Sequence, residues 1–279
     1  GMVAEAIAAG AGKNYEVAAT VVAMHTQGIL IGDASGVMLA FLGEAPAVAV
    51  NDAVTVKGTT ELRNGVIQFG KEGLSVAKTG TGSYNTPAPE VMDGTAVTAY
   101  IATALENKAV YKYVKYNGEF TVSGNYYNVV IAGTTTKGSV AYGKSEWASF
   151  NGKPVTVEGW LLGGTANYLQ TMATSVTVDS STPIVKISAP QQFAATSPVA
   201  QTLNYTVTNT TASAVTFAIE GTNVDKFSLG AKTDNTIVVS AKGDNTDKTA
   251  YTANLVAKVA GATVATVALK QAAPTSGSG

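Results

Sequence analysis

The chain has 279 residues, 46% of them hydrophobic and only 13% charged, with 18 Lys and Arg against 19 Asp and Glu and a formal net charge of -1. That composition excludes a disordered chain and a strongly basic binder, and at roughly 150 residues per domain the length suggests about two domains. Cysteine is absent and His25 is the only histidine, which excludes disulfides, thiolate metal sites, cysteine nucleophiles and any His-rich metal centre.

In chain order, Val3 to Ala9 predicts a short Ala-rich helix and Glu16 to Thr26 a long strand. His25 falls within the apolar run from Val21 to Thr26, where a structural role outweighs a catalytic one. Gly28 to Asp33 and Val37 to Leu42 predict two shorter strands joined by the Ala34-Ser35-Gly36 turn, with Gly36 available for a hairpin. Strands four and five follow at Ala53 to Thr60 and Val66 to Gly70. Ser75 to Pro89, with Thr79-Gly80-Thr81-Gly82-Ser83 and Pro87-Ala88-Pro89, has the composition of a connector.

A repeat organises this part of the chain. Val54-Thr55-Val56-Lys57-Gly58 returns as Val155-Thr156-Val157-Glu158-Gly159, each after an Asn-containing turn and each with the period-2 alternation of a half-buried strand. Gly58 and Gly159 are expected to let the strand bulge and coil. Both copies continue through a glycine turn, Asn64-Gly65 or Gly163-Gly164, to Ile67-Gln68 or Leu169-Gln170. The second module is expected to begin near Thr98, with strands at Ala109 to Tyr116, Glu119 to Ser123, Tyr126 to Ala132, Val155 to Leu161 and Tyr168 to Met172. Thr134 to Phe150 makes a longer loop than its counterpart in the first copy.

Five short strands with a long first one and a tight second hairpin predict an OB-fold barrel. The residues Gly28 to Asp33, Gly36 to Phe41 and Asn51 to Gly58 resemble the OB-fold modules of bacterial extracytoplasmic proteins over roughly residues 3 to 79. After Asp179-Ser180-Ser181-Thr182-Pro183 the pattern becomes a series of short Thr-rich strands at Leu203 to Thr208, Thr236 to Ser240, Tyr251 to Val256 and Ala262 to Leu269, as in a β-sandwich. The stretch from Gly243-Asp244-Asn245-Thr246 to Leu269-Lys270-Gln271 resembles the end of BACON domains, immunoglobulin-like modules of Bacteroidetes surface proteins. The expected fold class is therefore all-β, two OB-like five-stranded barrels followed by an immunoglobulin-like sandwich. The expected boundaries are 2–80 for the first module, 81–97 for a linker, 98–180 for the second module, 183–272 for the sandwich and 273–279 for a flexible tail.

Residues 108–170 carry 6 basic and 3 acidic side chains and 11 of the 21 aromatic residues, whereas residues 1–107 carry 5 basic and 10 acidic ones. Rings beside cations can stack on sugar faces or nucleobases, and OB-folds commonly bind oligosaccharides or oligonucleotides across strands two and three. The candidate ligand-binding residues are Tyr113, Lys115, Tyr126, Tyr127, Lys144 and Trp147. Each ring has a competing role in a barrel core, and of the adjacent pair Tyr126 and Tyr127 one must point outward. Phosphate binding needs clustered cations, and the chain has one arginine, Arg63, in its acidic first module. An uncharged glycan or oligosaccharide is the favoured partner, single-stranded nucleic acid and a partner protein being the alternatives.

Catalysis would have to rest on carboxylates, of which Glu146 and Glu158 are the nearby pair in the second module. Gly163-Gly164 and Gly80-Thr81-Gly82 are too short for a phosphate loop, and Asp244-Asn245-Thr246-Asp247 lacks the other ligands of a calcium loop. The reading is a non-catalytic binding protein with no catalytic residue, metal or cofactor. No apolar run reaches the roughly 18 residues of a membrane span. Met2 leads into Val3-Ala4-Glu5-Ala6-Ile7 without the cationic segment of a secretory leader, and Gly1 reads as a cleavage scar. The family resemblance nonetheless implies a periplasmic or cell-surface location.

Overall fold

The computed structural model describes residues 1–131 and 136–276. The chain divides into two compact units, Gly1–Asp179 and Ser180–Gly279. The first unit opens with helix α1 (Val3–Ala9), followed by β1 (Asn14–His25), β2 (Gly28–Asp33), β3 (Gly36–Phe41), β4 (Asp52–Arg63), β5 (Val66–Phe69) and β6 (Ser75–Thr81). β1 to β5 close in the order β1-β2-β3-β5-β4-β1, with β3 and β5 parallel and β1 and β4 antiparallel from Asn14↔Thr59 to Thr20↔Ala53. This is an OB-like five-stranded barrel. Its long first and fourth strands pair with each other as well as with β2 and β5, which closes the five strands on themselves.

The second barrel repeats this plan. After β7 (Glu90–Val91) and helix α2 (Gly94–Leu105), β8 (Lys112–Ser123), β9 (Tyr126–Ile131), β10 (Lys137–Val140), β11 (Pro154–Gly164) and β12 (Tyr168–Val178) close in the order β8-β9-β10-β12-β11-β8. Parallel β10–β12 takes the place of β3–β5. Each barrel is thus preceded by a helix whose apolar side enters its core, Val3 and Ala6 in the first and Val97, Tyr100 and Ile101 in the second.

Several elements depart from the sequence expectations. Ser75 to Thr81, expected within a connector, forms β6 along Asp52–Lys57 of β4. Its residues are almost all exposed, so it is held by the backbone ladder and has no hydrophobic period to read. α2 begins at Gly94, four residues before Thr98, with the Asp93 carboxylate accepting from the Ala96 amide at 2.9 Å as an N-cap. The two strands expected at Ala109 to Tyr116 and Glu119 to Ser123 are one, β8, running straight through Gly118. That glycine is needed because a Cβ there would lie 2.2 Å from the Val130 carbonyl oxygen. A further strand, β10, lies within the segment expected to be a loop from Thr134 to Phe150. Thr134 and Thr135 of that segment, and Ala132 at the end of the expected third strand, lie outside the described residues.

The paired repeat glycines do different work. At Gly159 the β11–β12 register shifts, and a Cβ would meet the Met172 carbonyl oxygen at 2.3 Å. At Gly58 the β1 register runs through without a shift, and the glycine, one residue past the end of the β6 ladder at Lys57, instead makes room for the side chains of Leu74 and Phe69.

The second unit carries β13 (Ile184–Ile187), β14 (Gln201–Thr208), β15 (Val215–Glu220), β16 (Phe227–Lys232), β17 (Thr236–Ala241), β18 (Tyr251–Val259) and β19 (Ala262–Gln271). The sheets β13-β14-β17-β16 and β15-β18-β19 reproduce the four-plus-three arrangement of an immunoglobulin-like sandwich. Its core includes Phe193, Tyr205, Phe227, Tyr251 and Leu255. Buried Asn245 donates to the Thr249 and Ala272 carbonyls, and buried Gln271 to those of Ala194 and Gly243. Two amides thereby satisfy four backbone acceptors that the loops would otherwise bury unpaired. Of the expected tail, residues 277–279 lie outside the described residues.

Candidate ligand-binding face

The closing register aligns outward side chains of each barrel into rows. In the second barrel Thr121, Asn128, Ser139 and Gln170 form one row across β8, β9, β10 and β12. Glu119, Val130, Lys137 and Tyr168 form the next, and Ser123 stands opposite Tyr126 beyond the first. The alternating residues Tyr127, Val129 and Ile131 face the interior, because the pleat sends neighbours to opposite faces. Tyr126 is 76% exposed. The Lys137 Nζ sits 5.9 Å from the Tyr168 ring centroid. The face thus offers two aromatic rings, hydroxyls and two side-chain amides, with one cation and one carboxylate among its ten residues.

In the first barrel three of the four positions of the first row are apolar, the fourth being Gln68. Ala23 pairs with Leu30 and Leu30 with Leu39, and the Ala40↔Phe69 pairing sets Leu39 beside Gln68. Ala23, Leu30, Val37 and Leu39 are buried with Trp160, Leu162 and Met172 from the outer face of β11 and β12. The strand-two and strand-three face of the first barrel is therefore the seam with the second barrel. The seam continues at the repeat turns. The Gly164 amide donates to the Asn64 carbonyl at 2.8 Å and the Ala109 amide to the Gly65 carbonyl at 3.1 Å. Gly163 holds φ +85°, and a Cβ there would lie 2.0 Å from the Asn64 carbonyl oxygen. The Tyr111 hydroxyl donates to the Ile67 carbonyl at 2.6 Å.

No family model matches the chain, and no curated protein does.

The six candidate residues fall in three places. Tyr126 stands on the exposed face. Tyr127 and Trp147 are core residues, 8% exposed each, and Tyr127 packs on Phe120 with ring centroids 5.5 Å apart. Trp147 lies on a 3-10 turn (Ser145–Phe150), and Lys144 is exposed with its Nζ 5.6 Å from the Trp147 ring centroid. Gly143 fits closely here, since a Cβ would meet the Tyr127 ring at 2.7 Å. Tyr113 lies near the seam, its hydroxyl donating to Glu158 Oε2 at 2.6 Å and its ring 5.1 Å from that of Trp160. Burial comes first and the Glu158 contact second in pushing the Tyr113 phenol up. Lys115 pairs across the ladder with Glu158 and Val91.

The structure thus separates Tyr113 and Lys115 from Tyr126, and places Tyr127 and Trp147 beneath the surface. Asn128, Lys137, Ser139, Tyr168 and Gln170, which share the face with Tyr126, were missed by a reading based on aromatic clustering. The Gln68 and Gln170 equivalence in the repeat was the signal that marked this row. Of the carboxylates, Glu158 is tied to Tyr113 and Glu146 is exposed on the 3-10 turn.

His25 lies at the rim of the seam, its ring centroid 4.8 Å from Tyr142 and 6.5 Å from Phe41. Its Nδ1 accepts from the Gln27 amide at 3.0 Å. Burial pulls its pKa down to about 4, so the ring is neutral near pH 7. No described helix is long and apolar enough to cross a membrane.

Proposed function

We propose that the chain is a non-catalytic extracytoplasmic glycan-binding protein whose ligand lies across the outer face of β9, β10 and β12. The observation that carries this reading is the contrast between equivalent rows. Ala23, Leu30 and Leu39 are buried in the seam, while Thr121, Asn128 and Ser139 are polar and flanked by Tyr126 at 76% exposure. Flat rings pack on the apolar faces of sugars, and amides and hydroxyls both donate to and accept from sugar hydroxyls. A single cation, Lys137, is a poor match to a polyphosphate, which needs several. The third module then acts as a spacer, and the location outside the cytoplasm follows the family resemblance.

The test is a glycan array alongside labelled single-stranded DNA, at low and high salt. Glycan binding that is insensitive to salt and weakened by Tyr126→Ala supports the reading. Salt-sensitive DNA binding would replace it with a nucleic-acid reading. Binding to neither overturns it in favour of a scaffold for partner proteins.

A further inference from the structure

A groove of about 720 Å³ runs between the two barrels. Its walls bring together the two repeat-equivalent glutamines, Gln68 and Gln170, with Glu61, Arg63 and Tyr142. Glu61 and Gln68 are cross-strand partners on β4 and β5, and Gln68 Nε2 donates to Glu61 Oε1 at 2.8 Å. The carboxylate occupies a notch left by Gly70, where a Cβ would lie 2.7 Å from Glu61 Oε2.

Tyr142 is 51% exposed and holds φ +45°. That is a left-handed conformation rare for a bulky residue, and such outliers gather at binding sites. Its ring is backed by His25 at 4.8 Å and Phe41 at 5.9 Å between centroids, and its carbonyl accepts from the Thr26 amide at 3.4 Å.

We infer that this groove is a subsite for a neutral pyranose ring of the same glycan, stacked on Tyr142 and hydrogen-bonded by Glu61 and the paired glutamines. The inference rests on the glycan reading of the neighbouring face and extends it to a linear oligosaccharide. A carboxylate held by an amide accepts sugar hydroxyls, and Arg63 and Lys71 balance Glu61 and Glu72 in the groove wall, so the lining has no net charge and matches a neutral ring. The two surfaces are continuous, because Gln170 belongs both to the groove and to the row Thr121, Asn128, Ser139, and because Tyr142 follows β10 by two residues.

The experiment is calorimetric titration of the full chain with neutral linear oligosaccharides of two to six residues, namely β-1,4-, β-1,3- and α-1,4-glucans, xylan and mannan fragments. Tyr142→Gly removes the ring at a backbone position that glycine adopts freely, and Glu61→Gln keeps the shape of the side chain. Both variants should keep the thermal midpoint of the parent chain. We expect affinity to rise with chain length, and Tyr142→Gly to weaken the longer oligosaccharides roughly tenfold while flattening that length dependence. Glu61→Gln should act in the same direction to a smaller extent. If Tyr126→Ala weakens binding while Tyr142→Gly and Glu61→Gln bind as the parent does, the groove is refuted and the face stands. If the reverse holds, the face is refuted and the groove stands. Binding of none of these probes overturns both.

Discussion

The two barrels share one topology, yet they use the same outer face in opposite ways. In the first, Leu30 and Leu39 are buried against Trp160 and Met172; in the second, Asn128 and Ser139 occupy the corresponding places and remain partly open to solvent. What a strand face does is thus decided by a handful of outward residues, while the inward set of valines and rings preserves the barrel. Topology alone would have pointed to both faces equally.

The sharpest way to break this comparison is to exchange the two rows. Leu30→Asn puts an unpartnered amide into the seam and should destabilise the barrel unit by about 3–5 kcal/mol. Both tryptophans, Trp147 and Trp160, lie in the barrels, so fluorescence-monitored urea unfolding reads that unit alone. If Leu30→Asn unfolds at the parent midpoint, the seam is not an energetic contact. Gly163→Ala attacks the turn-to-turn end of the seam, and should cost about 2–4 kcal/mol because both its φ and its contact with Asn64 exclude a Cβ.

The rim of the seam predicts a pH dependence. The folded pKa of His25, about 4, lies below the unfolded value of 6.5, so between them the unfolded chain holds the extra proton. Stability is then complete above pH 6.5 and falls as pH drops toward 4, by at most about 3 kcal/mol. In His25→Gln this part of the pH profile should flatten, which parallel melts from pH 4 to 7 would reveal. The smallest effects on stability belong to the open row. Asn128→Leu and Tyr126→Ala should shift unfolding by less than about 1 kcal/mol and show themselves in glycan titration. A large loss of stability in either would mean that the second face is also structural.

Much of this architecture was legible. α1 matched its expected bounds, β1 and β5 lay within two residues of theirs, and β4 ran three residues past its expected end, because their apolar positions keep a clear period. Gly118 misled because a glycine that admits a close neighbouring carbonyl looks, in sequence, like one that turns the chain. α2 carried a readable helical spacing in Val97, Tyr100, Ile101 and Ala104, hidden by a composition rich in Thr and Ala. β10 was too short to show any period, and β6, held by its backbone ladder, the Lys78–Asp52 ion pair and Val76, shows none. For the site, the adjacency of Tyr126 and Tyr127 correctly required one outward ring, but a sequence cannot show that Trp147 closes over the core. The apolar character of the Leu30 and Leu39 row was visible; that it faces a second barrel required the assembled chain.

The contact between the Asn64-Gly65 and Gly163-Gly164 turns has a kinetic consequence. Backbone hydrogen bonds tie the barrels together at Asn64 and Gly164 and again at Thr26 and Tyr142, and the cleft between them is expected to keep one width before any ligand arrives. Association should then follow a single concentration-dependent phase, with no slower closing step behind it.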